Sequence, residues 1–178
     1  MELKETQALI KKFRDYVVSQ SRANLTRQRK NFTNSLYKSI KGEIITEDRY
    51  TIVGFIMDEH GAYQDKGVRG ARSDARAPKS PFKFGSGKGG NGAGLSQGIE
   101  KWVKVKKIQF RNKENGKFIS YQSTAYIIAR SIFNKGLKPS LFFTKPFEKG
   151  YKKYISNDLI KAFSMDVDTI VDYNLKKK

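Results

Sequence analysis

The residues with chemical potential are few and close together. The single histidine, His60, follows Asp58 and Glu59, and Asp65 and Lys66 come shortly after. Carboxylates and an imidazole could hold a metal, but a zinc site draws three or four ligands from defined spacings. An adjacent polar run after a hydrophobic strand has the composition of a solvated turn. A metal-dependent nuclease built on two acids and a lysine would place the lysine two positions beyond an acid on a strand. Here Asp65 and Lys66 are neighbours in what reads as a turn. The tract Gly85-Ser86-Gly87-Lys88-Gly89-Gly90 has the letters GxGxxG. No clear strand runs into it and no helix opens inside it, as dinucleotide binding requires. Gly89 also stands where a phosphate loop needs Ser or Thr for magnesium.

The chain has 0 cysteines, which excludes disulfides, thiolate metal sites and cysteine nucleophiles together. No serine–histidine–acid arrangement and no carboxylate pair at a general acid–base spacing is present. The sequence therefore predicts a protein that is not an enzyme, with no cofactor and no metal.

Charge is the outlying property. There are 36 Lys and Arg against 17 Asp and Glu, a formal net charge of +19. Such a surface repels itself and is drawn to polyanions or acidic protein faces. The plainer reading is a compositional habit of lysine-rich solvated helices. Between Asp65 and Gly90 the bases Lys66, Arg69, Arg72, Arg76, Lys79, Lys83 and Lys88 face only Asp65 and Asp74. Pro78 and Pro81 exclude helix there, and the glycine-rich tract from Gly85 to Gly94 is flexible when free. The whole of 58–94 thus reads as an extended basic loop, and those seven bases as candidate contacts to a partner or DNA. Phe82 and Phe84 either stack on bases or anchor the loop to the core. Trp102 shares a helical face with Leu95 and Ile99 and reads as core.

The elements around this loop follow from apolar periodicity. Leu9, Phe13 and Val17 predict a helix over 3–21, loosened at Ser19, Ser21 and Asn24. Asn24 could cap a second helix over 25–40, with Phe32, Leu36 and Ile40 at steps of four and Gly42 as its stop. Arg27, Arg29 and Lys30 would then lie at a helix start, where the dipole disfavours cations. Residues 43–57 predict a β-hairpin turning at Glu47-Asp48-Arg49, its second strand apolar on both faces and hence central and covered. A helix is predicted over 95–107, then an extended segment and an Asn115-Gly116 turn. The next helix, over 118–134, lines up Tyr121, Ala125, Ile128 and Ile132 before Gly136. A long last helix follows, capped by Ser140 or Thr144 with Pro146 early in it, and continues amphipathically through Val167, Ile170 and Val171. No run of about 18 apolar residues spans a membrane, and the opening MELKETQALIKKF has no signal core. These elements predict one domain, 1–178, of α/β (α+β) class. A small antiparallel sheet carries packed helices, and long helices stand at both ends.

Three stretches in order resemble a family of tailed-phage virion proteins, the tail-completion or head–tail joining (neck) proteins of minor-tail-component type. They are the helix ending NSLYKSI (Asn34 to Ile40), the strand and loop YTIVGFIMDEHGAYQDKG (Tyr50 to Gly67), and KPSLFFTKPFEKGYKKY (Lys138 to Tyr154) leading into the final helix. Together they span 24–163. The chain departs from the family's pattern in the placement of Asp65-Lys66-Gly67 and in a longer insertion from Arg69 to Gly94. The resemblance implies a structural subunit of a ring, roughly six or twelve copies, between portal and tail. The implied partners are other copies of itself, portal or adjoining connector and tail proteins, and packaged DNA, with no membrane. The implied place is the virion, after synthesis in the host cytoplasm. A basic nucleic-acid-binding accessory protein is the alternative.

Overall fold

Ile10, Phe13, Val17, Ser21 and Leu25 recur at steps of three and four, which is one face of a helix. All five are buried along α1, which runs unbroken from Lys4 to Arg27. This is a computed structural model describing residues 3–30, 32–47, 50–85, 93–156 and 158–176. The expected break near Ser21 and Asn24 does not occur. Ser21 is fully buried in line with Val17 and Leu25, a small residue filling the stripe. Asn24 donates its side-chain amide to the Phe142 carbonyl (3.2 Å) instead of capping a new helix. Arg27 therefore lies in the last turn of α1, where the dipole favours a cation, the reverse of the expected placement. The second helix, α2, is only Ser35–Ser39.

The fold is α+β, and its contacts gather in two units, 1–61 with 141–178 and 62–140. In the first unit β1 (Lys41–Thr46) and β2 (Thr51–Ile56) form an antiparallel hairpin, with Lys41 opposite Ile56 and Thr46 opposite Thr51. Gly42 is not a helix stop. It lies in β1 where the strand crosses α1, and a Cβ there would fall on the Arg14 side chain and 3.2 Å from Val18 Cγ2. The second strand is not central. Among the described residues β2 pairs with β1 alone. Ile52 and Ile56 on its outer face are each 49% exposed. Its apolar composition on both faces thus has two outlets, one in the core and one at the surface.

The core of this unit joins Leu25, Leu36, Ile40 and Phe142, with Val18, Tyr37, Met57 and Phe143 against them. Beside it the Phe55 ring meets Phe13 (5.9 Å), Phe143 (5.5 Å) and Phe147 (5.9 Å) edge-on. Such edge contacts add about 0.5–1.5 kcal/mol each beyond area burial. The expected long last helix is three pieces: α6 (Thr144–Gly150), a π-helical turn (Tyr151–Ile155) and α7 (Asp158–Lys176). Its start is formed by Phe143 without a side-chain cap. The π turn widens the helix beside α1, where the Tyr154 ring packs on Tyr16 (5.6 Å) and Lys153 sits over Tyr154 (4.9 Å).

The second unit contains the rest of α3 (His60–Lys66), then β3 (Val68–Arg69), α4 (Ala93–Lys106), α5 (Tyr121–Lys135) and β4 (Gly136–Leu137). Helices α4 and α5 close on Ile99, Val103, Ala125 and Ala129, flanked by Trp102, Tyr121, Ile128 and Ile132. Trp102 thus packs, partly buried, against this core on the face its spacing predicts. Ser120 caps α5 by accepting from the Ser123 N–H (3.0 Å), and Gly136, at φ +83°, ends it. Among the described residues no helix is long and apolar enough to cross a membrane.

Candidate interaction surfaces

The region expected to be an open loop is largely folded. After Met57 a short turn at Asp58 and Glu59 leads into α3, so Asp65 and Lys66 are helical and not in a turn, and Asp65 is buried. The Asp58 carboxylate accepts from Ser35 Oγ (2.6 Å), and its N–H donates to Ser39 Oγ (2.9 Å), fastening the strand end to α2. His60 Nδ1 is 4.0 Å from Asp58 Oδ2. Among the described residues no three acidic or histidine side chains come together as a metal site.

Backbone pairing accounts for the order from 67 to 85. Strand β3 runs antiparallel to β4, with Val68 opposite Leu137. On its other side the Arg69 N–H donates to the Phe82 carbonyl (2.8 Å), and Phe84 N–H donates to the Arg69 carbonyl (3.0 Å). Ala71 and Arg72 N–H donate to the Phe133 and Asn134 carbonyls, filling acceptors that the end of α5 leaves open. Ser80 Oγ donates to the Gly67 carbonyl (2.7 Å) in the interior. The segment around β3 lies so close to β4 and the end of α5 that side chains are excluded at three glycines. A Cβ on Gly70 would strike the Asn134 carbonyl, one on Gly136 would strike the Val68 carbonyl, and one on Gly67 would lie 2.5 Å from the Leu137 oxygen. Phe82 packs on Tyr63 (4.5 Å) and Phe84 on Phe133 (5.7 Å), so both aromatics anchor the segment.

The seven candidate bases part company. Arg76 Nη1 donates to the Gly136 carbonyl (3.2 Å) and acts in holding the fold. Arg69 is half-buried in β3, and its Nε is enclosed without a hydrogen-bond partner among the described residues. Lys66, Arg72, Lys79 and Lys83 are exposed. Lys88 and most of the glycine-rich tract lie outside the described residues.

Two surfaces of the first unit were not singled out from sequence. One is a groove of about 1070 Å³ between α1 and the segment from Tyr37 to Glu43. Arg14, Arg22, Arg27 and Lys41 line it over a floor that includes Val18 and Ile40. Arg22 is positioned by donating to the Ile40 carbonyl (2.8 Å), with its ring-facing side over Tyr37 (5.5 Å). The other is an apolar stripe on α7. Ala162 and Asp166 are buried, while Ile160, Phe163, Val167 and Val171 all remain exposed. These four recur at three and four residues, so they share one helix face. The sequence signal was available: a second apolar stripe on one helix, bordered by Asp168 and Asp172 in an otherwise basic chain. No family model, no curated protein and no solved structure matches the chain.

Proposed function

We propose that the chain is a non-enzymatic structural subunit of a tailed-phage virion, one copy of a head–tail connector ring of neck or tail-completion type. The observation that carries this reading is the apolar surface a lone subunit leaves in water. Ile45, Ile52 and Ile56 on the hairpin and Ile160, Phe163 and Val171 on α7 are all about half exposed or more. Contiguous exposed apolar patches on soluble chains mark interaction sites, and a subunit with different patches joins its copies head to tail into rings or filaments. The resemblance over 24–163 supplies the kind of assembly, and the positive charge suits a ring around packaged DNA or against an acidic neighbouring ring.

The test uses purified particles, digested with nuclease and washed in high salt. A connector subunit stays with the particles at a small fixed number, roughly six or twelve. Loss on digestion or washing rejects the ring.

The exposed Lys66, Arg72, Lys79 and Lys83 favour a second reading, a nucleic-acid-binding accessory protein. It requires tight binding by the isolated chain that falls steeply with salt.

A further inference from the structure

The two surfaces missed in the sequence differ in charge as well as shape. On α7 the exposed charges from Asp158 to Asp172 are Asp158, Asp168 and Asp172 against Lys161, three acids to one base in a chain of net charge +19. The groove presents Arg14, Arg22, Arg27 and Lys41 against Asp15 and Glu43, four bases to two acids. Its volume of about 1070 Å³ lies at the upper end of the ~300–1,000 Å³ usual for small-molecule sites, and its lining follows α1 from Arg14 to Arg27. Arg14 to Arg27 and Asp158 to Val171 each cover about 20 Å of helix at ~1.5 Å per residue.

The subunit cannot satisfy this match by itself. Its own α7 is tied to the start of α1, where Asp166 holds the N–H groups of Glu5 and Thr6. The groove begins at Arg14 and follows α1 to its far end. We propose that the Ile160–Phe163–Val167–Val171 face of α7 docks in the α1–β1 groove of a second copy of this chain. The occupant is an amphipathic helix laid into a groove. The acidic border of α7 meets the arginines at the rim. Because donor and acceptor surfaces lie at opposite ends of α1, the contact is head to tail and propagates around a ring. This contact deepens the ring reading and rests on it.

The absence of native cysteine makes the test clean. Full-length Val167→Cys and Ala23→Cys proteins are mixed and oxidised. A disulfide-linked pair of the two variants is expected. Lys161→Cys, on the polar face of α7, should not link to Ala23→Cys. Adding Phe163→Asp to the Val167→Cys chain should cut the linked yield about tenfold or more while the circular dichroism spectrum stays unchanged. No link between positions 167 and 23, or equal linking from position 161, overturns the docking. The ring reading is judged separately by copy number in particles, so a fixed copy number without the link rejects this contact alone. Protection of Ala23→Cys from maleimide by duplex DNA, with no link to α7, assigns the groove to nucleic acid and also overturns the proposal.

Discussion

Asp166 and Thr6 stand 160 residues apart in the chain, yet the Asp166 carboxylate accepts the Thr6 N–H at 2.9 Å. It also accepts the Glu5 N–H at 3.1 Å. Leu3, at the cap position of α1, offers no side-chain bond, so the helix borrows its cap from α7.

This cap makes a pH prediction. Burial alone would raise the Asp166 pKa, but the backbone hydrogen bonds from Thr6 and Glu5 outweigh it and hold the group below the ordinary aspartate value. A depressed folded pKa means the stabilisation is complete above the unfolded pKa and is lost as pH falls through the folded one. Asp166→Asn should therefore lower the urea midpoint near neutral pH. The gap to the parent should close as pH drops below the aspartate range. A gap that is constant with pH would show that the charge on Asp166 is not what caps α1.

The glycines divide by what a methyl group would meet. Gly70→Ala and Gly136→Ala drive a Cβ into backbone atoms and should each cost about 1–3 kcal/mol. Gly98, exposed in α4, has nothing within 4 Å of the same position. Gly98→Ala should stabilise by about 0.5–1 kcal/mol through helix propensity. Denaturant titrations of the three variants read both signs.

Phe142 is fully buried among Leu25, Leu36 and Ile40. Phe142→Ala should destabilise by about 3–5 kcal/mol, since the cavity is walled by α1 and α2 and relaxes little. A loss under 1 kcal/mol by chemical denaturation would mean that this cluster is not the core of its unit.

A binding assay on the exposed bases of the second unit separates the two functional readings. Under the connector reading the isolated chain binds duplex DNA weakly and without sequence preference. Changing Lys66, Arg72, Lys79 and Lys83 to Gln should flatten the salt dependence by at most about 0.9 in log–log slope per contact removed. Tight binding that this variant abolishes would put the nucleic-acid reading first.

Much of the helical framework was legible because its signals are local. Tyr121, Ala125, Ile128 and Ile132 as one face and Gly136 as stop all lie within or beside α5, although the helix starts at Tyr121 behind a Ser120 cap and not at 118 as expected. The hairpin was legible from its β-branched runs. What failed depended on partners far along the chain. Ser21 and Asn24 look like helix breakers until Phe142 accepts the Asn24 amide. Residues 67–85 look like free loop until β4 and the end of α5 supply their hydrogen bonds. Gly42 looks like a stop signal until α1 is seen to pass beneath it. The seven-base cluster was read by composition, and composition does not distinguish Arg76, spent on a carbonyl, from Lys79 in solvent.

The first unit is assembled from both ends of the chain, and this sets an order of events during synthesis. Helix α1 leaves the ribosome early, but Phe142 and Asp166, which complete its surroundings, emerge only after the whole of 62–140. A chain cut short within that middle stretch lacks Phe142 from the core and Asp166 from the cap of α1, and it lacks α7 altogether. Folding of the first unit therefore waits on the segment after 140, and α1 stays without Phe142 and without its borrowed cap until Asp166 has been made.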